Sequence, residues 1–346
     1  MIKVGLIGCG YWGPKLARNF HELPEAELSW ASDLQLERLQ HMQSLYPHVH
    51  VTQNHRDILA ADVDAVVIAT PVSTHHRLGI EALRAGKHVL IEKPLAASAS
   101  EAWDLVQTAE TARKVLMVGH TFEYNPAVEA VKEIVQSNEL GDIYYINATR
   151  VNLGLFQPDI NVIWDLAPHD ISILNYVLNA QPEFVSARGG VYVQKERGIH
   201  DIAYLTLQYP NDVMAEIRVS WLDPVKIRRY TIVGSKKMLV YDDIAHAKVV
   251  IYDKGVDRPS YSDTFEQFQL SYRHGAETPY PVQWVEPLQN ECRDFVLSIR
   301  DERQPRANGR VGARVVEILE KAQKSLLNGG LKEKVADGGA LSDHIS

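Results

Sequence analysis

The stretch Lys3-Val4-Gly5-Leu6-Ile7-Gly8-Cys9-Gly10-Tyr11-Trp12-Gly13 decides the fold. A short apolar run ending at Ile7 leads directly into G-x-G-x-x-G, and a helical spacing through Leu16, Ala17 and Phe20 follows. In that order the first glycine permits a tight turn, the second lets backbone approach a pyrophosphate, and the third lets helix close on strand. The helix N-terminus adds free N–H groups and the positive end of a dipole, both suited to an anion. Twenty residues past Gly13, Asp33 follows a second apolar run, Leu28 to Ala31. A carboxylate there can accept from both ribose hydroxyls and repels a 2′-phosphate, which predicts NAD over NADP. Gly8, Gly10, Tyr11, Trp12, Gly13 and Asp33 are thus the first expected cofactor residues. The competing reading is a glycine-rich turn followed by a chance surface aspartate.

Outward from this unit the chain keeps alternating. Helical spacing from about Leu34 to Tyr46 precedes a weak strand at Val49 to Val51, and Asp57 to Ala61 opens another helix. Ala65-Val66-Val67-Ile68-Ala69 is wholly apolar, as in a parallel strand covered on both faces. It ends in Thr70-Pro71, with Thr74 and His75 opening the next helix. These residues are expected near the nicotinamide half of the cofactor, although a plain helix cap is also served by them. A third apolar run, Val89 to Ile91, stops at Glu92-Lys93-Pro94. Ligands of an open parallel sheet sit beyond the carboxyl ends of its strands, so Lys93 is expected to aim its ammonium at what is bound, and Glu92 and Lys93 join the expected cofactor residues. Pro94 restricts Lys93 to extended backbone. A helix from Ser98 to Arg113 and a strand from Val115 to Gly119 complete a doubly wound Rossmann domain over residues 1–122.

Composition narrows the function class. The 346 residues exceed one comfortable core, and a hydrophobic fraction of 45% with 23% charged residues suits a globular chain. No apolar run reaches the roughly 18 residues of a membrane span, and a cytoplasmic protein is expected. Cys9 and Cys292 are the only cysteines, too few for a zinc site or a disulfide framework, so no metal is expected. A net charge of −8 disfavours sequence-independent binding to nucleic acid.

After Phe122 the rhythm changes. A helix from Asn125 to Ser137 is followed by a long strand, Ile143 to Asn152, and then clustered strands from Phe184 to Tyr252 separated by turn residues. This predicts an α+β domain with a mainly antiparallel open sheet over residues 123–332, closed by helices at Pro287 to Arg300 and Arg310 to Leu327, with 333–346 a flexible tail. Within it stands Trp164-Asp165-Leu166-Ala167-Pro168-His169-Asp170. Pro168 suits a first helical turn, with Asp165 or a near neighbour as cap. With an earlier helix start, Asp165 and His169 lie one turn apart, where the carboxylate orients the imidazole as a general base. A cap and a structural histidine are the plainer alternatives.

Gly8-x-Gly10-x-x-Gly13, Glu92-Lys93-Pro94, Asp165-x-x-x-His169 and the ending from Glu291-Cys292-Arg293-Asp294-Phe295 together resemble the Gfo/Idh/MocA oxidoreductases, in the same order and over nearly the whole chain. The resemblance implies an NAD(P)-binding Rossmann domain and a sheet domain that carries substrate and associates into a homodimer or homotetramer. It implies that Lys93 and His169, with Asp165, act on a sugar or cyclitol hydroxyl. The wording from Asn152 to Asp170 is similar to nucleotide-sugar 3-dehydrogenases, those acting on UDP-N-acetylglucosamine in particular. Candidate substrate residues are His120, Tyr124, Asn125, Arg150, Asn152 and Trp164, with Arg150 a pyrophosphate contact or a surface ion pair. His120-Thr121-Phe122-Glu123-Tyr124-Asn125 departs from the Arg-containing form common in the family at that place. The rival readings are an inositol or free-sugar dehydrogenase and a non-catalytic cofactor-binding regulator.

Overall fold

The structure, a computed structural model, describes residues 1–257 and 271–335. The chain divides into two compact units, Met1–Asn125 with Val285–Glu320, and Pro126–Trp284 with the chain from Lys321 onward.

The first unit holds β1 (Ile2–Ile7), α1 (Gly13–Glu22), β2 (Ala26–Ser32), α2 (Leu36–Leu45), β3 (His50–Thr52), α3 (His55–Ala60), β4 (Ala65–Ile68), α4 (His75–Arg84), β5 (His88–Glu92), α5 (Ala99–Ala112) and β6 (Leu116–Gly119). Its six strands are parallel and ordered β3-β2-β1-β4-β5-β6. The winding direction reverses between β1 and β4, which puts a crevice at the carboxyl ends of those two strands. All four residues of β4 are fully buried, as the unbroken Ala-Val-Val-Ile run requires of a strand covered on both faces.

The second unit holds α6 (Pro126–Gln136), β7 (Ile143–Val151), α7 (Val162–Leu178), β8 (Phe184–Gly190), β9 (Ile202–Gln208), β10 (Met214–Ser220), β11 (Ile227–Gly234), β12 (Met238–Asp242), β13 (Val249–Asp257) and β14 (Ser271–Pro279). Among the described residues nine strands form one sheet in the order β14-β13-β12-β11-β7-β10-β9-β8-β15, β15 being Glu333–Lys334. Every pair is antiparallel except β7 with β10. In β9 and β10 burial alternates: Leu205, Leu207, Ala215 and Ile217 face the side on which α7 packs, while Tyr204, Met214 and Glu216 face out. Period-two patterning of this kind is what a half-buried strand needs.

Three expectations are corrected. The helix α8 (Pro287–Arg300) and most of α9 (Gly309–Leu327) belong with the first unit, not the second. Leu288, Cys292, Phe295 and Val296 give α8 its apolar face, and Phe295 meets Phe20 of α1 edge-on at 6.4 Å. Amphipathic spacing announces a buried face but not which sheet receives it. Second, the expected loose tail begins as a strand, Glu333 and Lys334 pairing with Val185 and Phe184; residues 336–346 lie outside the described part. Third, Pro168 sits at the seventh position of α7 rather than in its first turn. The cap is Asn161, whose side chain accepts from the backbone N–H of Ile163 at 3.0 Å and Trp164 at 3.3 Å.

Candidate functional site

The turn between β1 and α1 is shaped by contacts that exclude side chains. Gly8 has φ of +99°, and a Cβ there would stand 2.5 Å from the Ala69 carbonyl oxygen; a Cβ on Gly13 would fall on the Gly8 carbonyl. Gly10 differs. A Cβ there would meet only the Arg38 guanidinium at 3.6 Å, so protein packing does not require this glycine, whereas close approach of a phosphate would. α1 starts at Gly13 without a side-chain cap from Trp12, which leaves its N-terminus open to an anion. Tyr11 is exposed and lies edge-on to Trp12, with the Lys15 ammonium 3.7 Å and 4.5 Å from the two rings.

Asp33 is held by backbone. Its Oδ2 accepts from the Cys9 N–H at 2.7 Å and its Oδ1 from the Gln35 N–H at 2.9 Å, while Arg38 Nη1 lies 3.3 Å from Oδ2. A carboxylate fixed in this way has lone pairs left that can accept from further hydroxyl donors. The neighbouring Cys9 thiol is pushed up to about 12 by burial and then by the Asp33 charge, so it stays protonated and inert.

At the ends of β4 and β5 the polar groups tie two loops together. Thr70 and Thr74 share a hydroxyl hydrogen bond of 2.7 Å, and Thr74 also donates to the Pro71 carbonyl. The buried His75 sets Nδ1 2.9 Å from the Pro94 carbonyl and Nε2 2.8 Å from the Thr70 carbonyl. Burial lowers its pKa while the two carbonyls oppose that shift; a neutral ring can donate to only one of them. Both ring nitrogens are committed to protein, so His75 braces the loops rather than offering itself to a cofactor. Lys93 is half-buried and joined to Pro94 by a cis peptide bond. Its backbone N–H donates to Glu92 Oε2 at 3.3 Å.

Three of the expected substrate residues in the first unit are core groups. Tyr124 is 2% exposed, donates its hydroxyl to Asp294 Oδ2 at 2.7 Å and accepts from the Ala307 N–H at 3.1 Å. Asn125 is equally buried. His120 is buried too, and burial, then the Lys93 charge, drives its pKa down to about 3, so the ring is neutral.

In the second unit, Asp165 and His169 stand one turn apart on α7, both half-buried. Asp165 Oδ2 accepts the indole N–H of Trp221 at 2.9 Å. Trp221 follows β10, is fully buried and meets Phe156 edge-on at 5.5 Å, so the carboxylate is aimed by a side chain that cannot itself move. Trp164 is half-buried in the first turn, and Asn152 lies just past β7, its carbonyl accepting from the Asp223 N–H. Arg150 corrects both of its sequence readings. It is 4% exposed and its Nε donates to both oxygens of Asp170, at 3.0 and 2.9 Å, while the Tyr230 hydroxyl donates to Asp170 Oδ1. Burial, then the Asp170 charge, pushes the Tyr230 phenol well up, which keeps that donor protonated. The guanidinium is an internal brace between β7 and α7, neither a surface ion pair nor a pyrophosphate contact.

Sequence reasoning missed Arg38 and Trp221. Arg38 was findable, since an arginine five residues past the ribose acid sits on the first turn of the next helix. Trp221 reaches Asp165 across 56 residues, and no local pattern carries that. Lys93 belongs to the first unit and Asp165 with His169 to the second. Among the described residues no group of histidine, cysteine, aspartate and glutamate could hold a metal, and no helix is long and apolar enough to cross a membrane.

Residues 2–120 match the family described as the GFO_IDH_MocA oxidoreductase family, NAD-binding Rossmann fold, and residues 128–240 match the GFO/IDH/MocA C-terminal domain. UDP-N-acetylglucosamine 3-dehydrogenase of Acidithiobacillus ferrooxidans is 28% identical over 327 residues, 91% of this chain and 94% of that protein. Myo-inositol 2-dehydrogenase of Thermotoga maritima is 25% identical over 337 residues, 94% of this chain and 96% of that protein. The solved structure of the Acidithiobacillus ferrooxidans 3-dehydrogenase shares the fold with a TM-score of 0.79 at 26% identity, over 94% of this chain and 97% of that one.

Proposed function

The chain belongs to the Gfo/Idh/MocA family of NAD-binding oxidoreductases, and from that premise we propose that it interconverts a secondary alcohol and a ketone at C3 of a nucleotide-linked pyranose such as UDP-N-acetylglucosamine. The observation that supports the chemistry most is the arrangement on α7, where Trp221 fixes Asp165 one turn before His169. The likeness to a UDP-N-acetylglucosamine 3-dehydrogenase over nine-tenths of both chains supports the substrate class.

NAD bound at the Gly8–Gly13 turn and Asp33 would supply the hydride acceptor. The remaining work falls to side chains. His169 takes the hydroxyl proton on its imidazole, and Asp165 keeps that ring oriented and favours the imidazolium that forms. Lys93 donates a hydrogen bond from Nζ to the reacting oxygen and stabilises the negative charge that grows there. The diphosphate of the substrate needs contacts other than Arg150, which is spent inside the second unit.

The similarity to myo-inositol 2-dehydrogenase over 94% of the chain favours a second reading, a cyclitol substrate. Rates of NADH formation with UDP-N-acetylglucosamine, free N-acetylglucosamine and myo-inositol separate the two. The first reading expects turnover of the UDP-sugar alone; turnover of myo-inositol without it establishes the second, and equal turnover of free and UDP-linked sugar removes the nucleotide pocket.

Association into a homodimer or homotetramer is part of the same reading. The outward face of the nine-stranded sheet carries Tyr145, Tyr204 and Met214, each 44% to 50% exposed, and a second copy would cover them. Light scattering at micromolar concentration that returned a monomer mass would contradict this.

A further inference from the structure

Beneath Lys93, inside the first unit, lies a group of buried polar atoms that the proposed chemistry does not use. Glu92 ends β5 opposite Gly119, the last residue of β6, so tightly that a Cβ on Gly119 would stand 3.1 Å from Glu92 Oε2. His120 follows Gly119 directly. α8 packs on the turn Thr121–Tyr124 and brings Glu291 in, with Asn290 donating to the Tyr124 carbonyl on one side of it and Asp294 accepting from the Tyr124 hydroxyl on the other. Glu291 and His120 are 0% and 1% exposed and Glu92 is 8% exposed. Glu92 Oε1, both carboxyl oxygens of Glu291 and both ring nitrogens of His120 are buried without a well-formed hydrogen bond among the described residues. Five such atoms in one unit demand a reason, because a desolvated polar group without a partner destabilises the fold.

Two buried carboxyl groups that feel each other's charge resist ionising together and retain a proton between them. The charged groups that act on the pair are the Lys93 ammonium from the end of β5, Lys15 from α1 and Glu123 after β6; the Cys292 thiol beside Glu291 feels both carboxyls, and the His120 ring feels Lys93. We propose that Glu92 and Glu291 form a proton-sharing carboxyl pair, with the neutral His120 ring beside it, that carries one negative charge against the Lys93 ammonium and so positions and tunes that ammonium. Burial pushes Glu92 up to about 7, with the Lys93 charge pulling it back. Burial, then the Glu92 charge, holds Glu291 well above the usual carboxylate range, with the Thr121 hydroxyl opposing. The catalytic consequence rests on reading Lys93 as the group that meets the reacting oxygen; the pair itself does not.

The test follows the Lys93 side chain directly. In protein labelled at lysine Cε, the Lys93 resonance, assigned by its loss in Lys93→Arg, is titrated between about pH 5 and 9 without substrate. The wild type is expected to show an inflection near pH 7 from the pair, and Glu291→Gln to move it down by about one pH unit or more, because the like-charge partner is gone. Glu92→Gln gives the same readout should Glu291→Gln not fold. An unmoved inflection in a folded variant, or none in the wild type, overturns the proposal. No sugar is needed, so failure of the nucleotide-sugar reading leaves this result standing. With any alcohol that is turned over, kcat of Glu291→Gln should shift its pH profile by the same amount; an unshifted profile with a moved inflection rejects the role in tuning Lys93.

Discussion

The cofactor turn and the face of α7 solve one problem, holding a carboxylate still, by opposite means. Asp33 is fixed by backbone N–H groups of Cys9 and Gln35, both set by one strand-turn-helix unit. Asp165 is fixed by the indole of Trp221, which arrives from another strand 56 residues later. Backbone anchoring depends on local conformation and tolerates most side-chain changes nearby. Side-chain anchoring depends on the packing of a whole sheet and is lost with one atom. The first should be robust and the second fragile.

The largest effect expected is on the brace under α7. Asp170→Ala leaves the Arg150 guanidinium buried without its counter-charge, which should cost about 3–5 kcal/mol of stability in chemical denaturation. A loss below about 1 kcal/mol would mean that Arg150 reaches water and that the second unit is not anchored there.

Next comes cofactor choice. Asp33→Ala should narrow the preference for NAD over NADP, measured as the ratio of kcat/KM values, by about 2–4 kcal/mol. Arg38 then faces the 2′-phosphate without Asp33 beside it. An unchanged ratio would show that the ribose is not read at Asp33. Smaller still is the effect of Trp221→Phe, which deletes the indole donor to Asp165 and should lower kcat by about 1–2 kcal/mol with no change in NAD affinity. Equal losses in kcat and in NAD affinity would place Trp221 in general packing instead.

The contrast also explains what the sequence made legible. The glycine turn and Asp33 fall between Lys3 and Asp33, where strand, turn and helix signals are local, and the Rossmann order repeats such local units as far as Gly119. The one-turn spacing of Asp165 and His169 was equally local. Arg150 was misread because its partners, Asp170 and Tyr230, come from another helix and another strand, and only the folded sheet buries them together. Tyr124 was misread for the same reason, its hydroxyl being taken by Asp294 of α8 and Ala307. α8 itself shows the limit most plainly, since its stripe of Leu288, Cys292, Phe295 and Val296 suits either sheet and the chain returns to the first.

The central claim is that an imidazole on α7 removes the substrate proton. It is tested most directly by the turnover of UDP-N-acetylglucosamine with NAD by wild type and by folded His169→Ala. The account predicts a fall in kcat of about 10²- to 10⁴-fold, the usual worth of a positioned base, with NAD affinity unchanged and the acidic limb of the pH profile gone. Near-wild-type turnover by the folded variant would contradict it.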